Sequence, residues 1–209
     1  MSEVSSDLTV ETPPLRDVRR LTPLDWLRAA QSRLVESGID SVKIGRLAED
    51  LGVTRGSFYW HFKSRDHLLG VMLDQWYADS VESFSDVLEA EGASGMDEFL
   101  RLVHLWVDET NFNPDLEAAM RDWARRSDRV AEVVKNVDEE RIDFIKRIFL
   151  DFGYDDTEAF IRARITYFHQ VGYYTIGYNE TLDQRLSLIP IYAHVLTGKL
   201  TSEEIAKLI

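Results

Sequence analysis

The sequence predicts an all-α protein. Apolar residues recur every three or four positions along most of the chain, and no strand-like alternation over four or more residues survives the helical interpretation. Cysteine is absent from the 209 residues, which excludes a disulfide framework, a thiol nucleophile and Cys-ligated metal sites. No apolar run approaches the ~18 residues that a membrane-spanning helix needs. The N-terminus lacks the apolar segment of a signal peptide, so we expect a cytoplasmic protein.

Three helices are predicted before residue 64. Thr22 is a favourable N-cap for the first, and Gly38 ends it. Gly52 permits the turn between the second and the third, and Phe58 and Phe62 form the inward side of the third. The predicted ranges are about 22–38, 42–51 and 54–61.

Six further helices are predicted after this segment, over about 64–89, 96–110, 114–124, 128–152, 156–178 and 182–197. Pro190 should kink the last helix or mark a restart in it. The last two helices are apolar on two faces, so each must be covered on two sides. We therefore predict a homodimer. The interface residues predicted for it are Tyr167, Val171, Tyr174, Tyr178, Leu188, Ile191, Tyr192 and Val195.

Charge is distributed unevenly. The whole chain carries −13, which by itself argues against a nucleic-acid partner. Residues 16–67, however, hold ten Arg and Lys against seven acids, whereas residues 68–209 are strongly acidic. Such asymmetry is a weak indication of a module that binds a polyanion, and an uneven surface is the alternative.

The most informative stretch lies between Lys43 and Lys63 and reads KIGRLAEDLGVTRGSFYWHFK. It predicts a helix, a glycine turn and a second helix, the helix-turn-helix arrangement. The second helix leaves Tyr59 and Trp60 on the outside, together with hydrogen-bond donors. A solvent-facing Tyr-Trp pair reduces solubility unless a partner covers it, and DNA phosphates and sugar edges would be such a cover.

This stretch resembles the TetR/AcrR family of bacterial transcriptional regulators. The resemblance rests on I-x-x-L-A-x-x-L-G-V-T-R-G-S-F-Y-W-H-F-K over 44–63, followed by Ser64 and the pair Leu68-Leu69. It implies a three-helix DNA-binding domain at 21–66, with its motif at about 43–62, and a helical effector-binding and dimerisation domain at 67–209. Residues 1–20 are expected to be a flexible tail. The resemblance also implies a repressor that a small molecule releases from operator DNA.

The resemblance places phosphate contacts at Tyr59, His61 and Lys63, and Arg55, Gly56 and Ser57 nearer the base edges. Arg55 can pair with guanine O6 and N7 through both guanidinium nitrogens, and a phosphate contact or a solvated side chain is the alternative. The predicted DNA-binding residues are Ser41, Lys43, Thr54, Arg55, Gly56, Ser57, Tyr59, Trp60, His61 and Lys63. For Arg16, Arg19 and Arg20, a minor-groove arm and a disordered tail are both open.

Aromatic residues suggest an effector pocket in the C-terminal part, although the same residues also suit an ordinary core. The predicted pocket residues are His104, Trp106, Phe112, Met120, Trp123, Phe168, His169 and Tyr173. An apolar or aromatic effector is expected, and a protein partner in its place is the alternative. No phosphate loop, dinucleotide fingerprint or i, i+4 histidine pair occurs, so we expect no enzyme, cofactor or metal.

Overall fold

The computed structural model describes residues 21–88, 94–108, 112–177, 180–199, 201 and 203. Within these residues the chain forms nine α-helices and no strand, which confirms the predicted fold class. The helices are α1 (Pro23–Ser37), α2 (Ile44–Asp50), α3 (Arg55–Phe58), α4 (Arg65–Leu88), α5 (Gly95–Asp108), α6 (Pro114–Ala124), α7 (Asp128–Asp151), α8 (Asp156–Ile176) and α9 (Leu182–Thr197). A short 3-10 turn at Ile39–Ser41 joins α1 to α2.

Local sequence signals account for most helix ends. Thr22 and Asp25 form a capping box on α1: the Thr22 hydroxyl accepts from the Asp25 amide, and the Asp25 carboxylate accepts from the Thr22 amide at 2.7 Å. Gly38 ends α1 with a φ of 73°, a conformation that glycine adopts without strain. Pro190 lies buried inside α9 and the helix continues to Thr197, so the predicted restart does not occur. Removing a single backbone donor does not end a helix that is held by its packing.

Two hydrophobic clusters stabilise the fold. The first joins α1–α3 to the beginning of α4, to α6 and to the first half of α7, and Met120 and Trp123 lie within it. The second is formed by the end of α4, by α5, by the second half of α7, and by α8 and α9. Because α4 and α7 contribute to both clusters, the N-terminal helices share a core with the rest of the chain. The division at residues 66 and 67 stays a prediction.

A buried ion pair lies where the two clusters meet. Both terminal nitrogens of Arg141 donate to the Glu117 carboxylate at 2.9 Å, and Trp76 Nε1 donates to the same carboxylate at 3.2 Å. The Arg141 guanidinium also lies 4.9 Å from the ring centroid of Phe84 and 5.6 Å from that of Phe112. The pair thus connects α4, α6 and α7, and links residues of the first cluster to aromatic residues of the second.

A second cluster of hydrogen-bonded polar side chains connects α6 and α7 to α8. Arg121 donates to both carboxylate oxygens of Asp138, at 2.9 and 2.6 Å, and Tyr167 donates its hydroxyl to Asp138 at 2.6 Å. Burial raises the pKa of Tyr167 to about 12, so the hydroxyl stays protonated. Tyr167 is therefore an interior residue of one protomer, and its predicted place in the dimer interface is wrong.

Candidate nucleic-acid interface and ligand cavity

Two phenylalanines anchor the short helix α3 to the N-terminal core. Phe58 is fully buried and packs edge-on against Trp26, with ring centroids 5.2 Å apart. Phe62 is also buried, 5.5 Å from Phe58. Both were predicted to face inward, and the structure confirms it. This packing fixes which side of α3 and of the following turn is exposed.

The exposed side carries the residues that the sequence predicted for DNA. Tyr59 is 61% exposed and Trp60 is 87% exposed. Ser57 and His61 are half-buried, and the other predicted residues of 54–63 are exposed. The helix itself is shorter than predicted and spans only Arg55–Phe58. After Phe58 the backbone continues as a tighter turn than an α-helix. The Tyr59 amide donates to the Gly56 carbonyl and the His61 amide donates to the Phe58 carbonyl, and each of these acceptors lies three residues back.

Arg55 lies across the first turn of α2. A Cβ atom added to Gly45 would lie 2.8 Å from Arg55 Nη2 and 3.0 Å from Arg55 Nε, so the end of the Arg55 side chain would have to shift. Gly45 therefore makes room for the guanidinium of the predicted base-contacting residue. The sequence analysis missed Gly45, since only the packing of α3 against α2 shows its role.

Some cations of the helix-turn-helix surface are paired with carboxylates and others are not, so the unpaired ones give the surface a positive charge. Arg46 pairs with Glu49, and Arg33 with Asp50, where the hydrogen bond from Arg33 lowers the pKa of Asp50. The structure as described places no carboxylate within ion-pair distance of three further cations of the surface. These are Lys43, Arg55 and Lys63.

Ser41 has a role inside the chain. Its hydroxyl lies 2.8 Å from the Arg33 carbonyl oxygen and 2.7 Å from the Gly38 carbonyl oxygen, and is half-buried. Since this hydroxyl hydrogen-bonds to carbonyls at the end of α1, it does not point freely into solvent as a phosphate contact requires. Arg16, Arg19 and Arg20 lie outside the described residues.

A cavity of about 70 Å³ lies between α5, α8 and α9, and three predicted pocket residues, Trp106, His169 and Tyr173, line it. Thr166, Gln170 and Arg185 also line it, although the sequence analysis missed them. Their polar side chains carried no signal, because helical periodicity singles out apolar positions only. Glu180 adds a carboxylate to the lining, and the rest of the wall is mainly apolar, formed by Phe99, Val103, Ile189, Ala193 and Leu196.

The other predicted pocket residues lie elsewhere. Met120 and Trp123 pack in the first cluster, and Phe112 packs 5.4 Å from Tyr174 and does not line this cavity. His104 and Phe168 are exposed. For His104 the reason is helix geometry: Leu102 and Trp106 face the core, and a residue two positions from each points to the opposite side.

Two helices present an apolar outer surface, which we call the α8–α9 face. On α8 it comprises Phe160, Ile161, Ile165, Phe168 and Ile176. On α9 it comprises Leu188, Ile191, Tyr192 and Val195; Leu182 and Leu186 are exposed too, but they lie on the stripe that continues into the buried Ile189 and Ala193.

Of the predicted interface residues, those on α9 are exposed, whereas those described on α8 pack inside the protomer. Leu188, Ile191, Tyr192 and Val195 belong to the α8–α9 face. Val171 and Tyr174 instead pack against the second cluster, and the Tyr174 hydroxyl donates to the Trp106 carbonyl at 2.7 Å. Periodicity identified both stripes of α8 but held no information on which one the monomer covers. Tyr178 lies outside the described residues.

A wider cleft of about 680 Å³ lies between α4, α6 and α7. Asp79, Glu82, Asp86 and Asp115 line it, and Arg141 at its wall is paired with Glu117. None of the helices described is long and apolar enough to cross a membrane. The described part of the chain also brings together no group of three or more His, Asp or Glu side chains that would hold a metal.

The N-terminal helices match a known family. Residues 27–72 fit the family described as bacterial regulatory proteins, tetR family. The match covers α1 to the beginning of α4, so this segment is similar to the tetR family. The chain is 36% identical over 61 residues to the tetracycline repressor protein class A from transposon 1721 of Escherichia coli, a match that spans 29% of this chain and only 28% of that repressor.

Solved structures extend the likeness from this segment to most of the fold. A TetR transcriptional regulator from Legionella pneumophila superposes with a TM-score of 0.64 at 15% identity, covering 85% of this chain and 96% of the other. A transcriptional regulator from Rhodococcus sp. Rha1 has a TM-score of 0.59 at 16% identity, with 90% and 96% covered. At these identities the likeness concerns the arrangement of helices alone.

Proposed function

We propose that the protein is a sequence-specific DNA-binding regulator of transcription, and that α3 with the turn after it contacts operator DNA. The observation that carries the proposal is the exposed pair Tyr59 and Trp60, held outward by the buried Phe58 within a tetR-family domain. Three cations without a carboxylate partner among the described residues, Lys43, Arg55 and Lys63, lie within the same helix-turn-helix stretch at 43–63. Aromatic side chains and cations together suit the sugar-phosphate backbone.

We assign the direct base contact to Arg55, whose guanidinium offers two parallel donors to guanine. Gly56 lets the backbone come close to the groove. Lys43 and Lys63 contact phosphates through their charge, and Tyr59 and His61 through hydrogen bonds. Thr54, Ser57 and Trp60 complete the surface. Ser41 is left out, because its hydroxyl bonds to backbone carbonyls of its own chain.

The test starts with selection of a preferred duplex from random DNA by the full chain. Arg55→Ala should then weaken binding to that duplex by about 1–3 kcal/mol and affect random DNA much less. Lys63→Ala should weaken both alike and make the slope of log K against log salt shallower by about 0.9. Arg46→Ala is the matched control, since Arg46 is paired with Glu49. Equal loss on both duplexes would reassign Arg55 to a phosphate, and no selected duplex would refute the proposal.

A homodimer joined through the α8–α9 face completes the proposal. Nine large apolar side chains are exposed on this face, which is more than scattered surface residues on a monomer would explain. A twofold axis through the face covers the same stripes on both protomers. It also supplies two recognition segments, which must meet successive turns of the major groove about 34–36 Å apart.

For the C-terminal helices we propose an effector site that controls DNA binding as a repressor does. The cavity between α5, α8 and α9 is the site, and α4 is the mechanical link. α4 begins next to the DNA-contacting segment and carries Trp76, which is hydrogen-bonded to Glu117 between the two clusters. A ligand that prefers one position of α4 about 100-fold shifts operator affinity by about 2.7 kcal/mol. A screen of small apolar compounds for raised melting temperature and lowered operator affinity tests this, and tight binding without loss of operator affinity would refute release.

A further inference from the structure

One histidine at the start of α4 has contacts that the helix-turn-helix motif does not account for. The Ser64 hydroxyl accepts from the His67 amide at 3.1 Å and the Ser64 carbonyl accepts from the Leu68 amide at 3.1 Å, so Ser64 is the N-cap of α4. In return, Nδ1 of the His67 ring accepts from the backbone N–H of Lys63 at 3.1 Å. His67 therefore fixes the backbone of a residue that we assign to a DNA phosphate.

This hydrogen bond determines the protonation of the His67 ring. An imidazolium carries a proton on both nitrogens and cannot accept, so a ring that accepts at Nδ1 is neutral and has its proton on Nε2. His67 is exposed, and the described part of the chain offers Nε2 no acceptor. The ring also packs against the buried Phe62, with centroids 5.7 Å apart. Two contacts thus hold the ring while its N–H donor stays available to a partner.

The chemistry at this position differs from that of an ordinary helix start. A side chain that reaches back to the backbone from three residues after the N-cap is typically a glutamate or a glutamine. A glutamate here would place a negative charge beside Lys63 and repel a phosphate. The histidine supplies a backbone acceptor without that charge and adds a donor.

The first turn of α4 is attached to the beginning of α2. Arg65 donates from Nε to the Val42 carbonyl at 2.5 Å and from Nη2 to the Ile39 carbonyl at 2.8 Å. The backbone at Lys43, which follows Val42 directly, therefore lies within one arginine side chain of the start of α4. Asp66 is the acidic residue of this turn, and because adjacent residues of a helix do not face each other, it points to a different side from His67.

We propose that His67 is a further phosphate-binding residue of the DNA interface. Its Nε2–H donates to a phosphate oxygen beside the one that Lys63 contacts, while its Nδ1 holds the Lys63 backbone in position. A phosphate contact carries no sequence information, so it strengthens binding to any duplex. The proposal rests on the proposed function, which fails if the full chain selects no duplex, whereas the role of His67 fails on the variants below.

Two amide side chains separate the roles of the two ring nitrogens. Asparagine places its oxygen where Nδ1 lies and has nothing at the position of Nε2, whereas glutamine places its amide nitrogen at that of Nε2. His67→Asn should therefore keep the melting temperature and weaken binding to the selected duplex and to random DNA about 10-fold, the effect of one hydrogen bond to a charged group. His67→Gln keeps a donor and should lose less than about 3-fold. His104→Asn, the same change at an exposed histidine of α5, is the control and should leave binding unchanged.

Salt and a modified phosphate identify the contact itself. A neutral donor releases no counterion, so His67→Asn should keep the wild-type slope of log K against log salt, unlike Lys63→Ala. Replacing the contacted phosphate by a neutral methylphosphonate should weaken wild-type binding, and His67→Asn should lose nothing further at that position. Three results would overturn the proposal: wild-type affinity in His67→Asn, equal losses in His67→Asn and His67→Gln, or additive losses at every modified phosphate. The first would show that His67 only caps α4.

Discussion

Replacing Glu117 by alanine should be among the most destabilising single changes in the chain. Arg141 is 2% exposed, and its two terminal nitrogens both donate to Glu117. Removing the carboxylate leaves a buried guanidinium without its counter-charge, a change that typically costs about 3–5 kcal/mol. It also removes the acceptor of Trp76 Nε1.

The loss translates into a large thermal shift. For a chain of this size each kcal/mol lowers the melting temperature by about 2–4 °C, so Glu117→Ala should lower it by about 6–20 °C. Urea unfolding followed by tryptophan fluorescence at one fixed protomer concentration measures the free energy directly, because dimerisation makes stability depend on concentration.

Two further variants sharpen the assay. Glu139→Ala breaks the exposed pair with Lys135, whose atoms are 3.6 Å apart, and should cost less than about 0.5 kcal/mol. The double variant Glu117→Leu with Arg141→Met removes both charges and should be markedly more stable than Glu117→Ala. If Glu117→Ala costs no more than Glu139→Ala, the pair does not hold the two clusters together and the reasoning fails.

Three other outcomes are expected. Ile165→Glu or Val195→Glu on the α8–α9 face should give monomers in light scattering and abolish operator binding, whereas a dimer that persists in both would place the interface elsewhere. Gly45→Ala should displace the Arg55 guanidinium and weaken binding to the selected duplex with little change in melting temperature, and unchanged affinity would refute the role given to Gly45. Burial, and then Arg185, lower the pKa of His169 in the folded protein, whereas the unfolded chain protonates it near about pH 6.5, so stability should fall as the pH drops from about 7 to 5. His169→Gln should flatten this pH dependence in urea titrations, and an unchanged slope in that variant would contradict the assignment.

The sequence alone determined the helices, because their signals are local. Thr22 and Gly38 mark the ends of α1 through backbone chemistry that needs no tertiary contact. The inward positions of Phe58 and Phe62 followed from periodicity and from the helix-turn-helix motif, as did the outward Tyr59 and Trp60. These features depend on neighbours within a few residues, which the sequence displays directly.

Only the tertiary structure showed which apolar face of a helix is buried in the protomer and which is exposed. α8 is apolar on two sides, and only its packing on α7 shows that Tyr167 and Tyr174 face inward while Ile165 and Phe168 face outward. From the sequence, Met120 and Trp123 could line a pocket or belong to a core. They pack in one buried cluster with residues of α1 and α4, so they belong to the core.

The sequence also did not show which polar residues are buried. Glu117 pairs with Arg141 across 24 positions, and Thr166 and Gln170 look like any surface residues of an amphipathic helix. Whether a polar side chain is buried, and whether it is paired, depends on residues that are distant in the chain and adjacent in space. That relation exists only once the helices are packed.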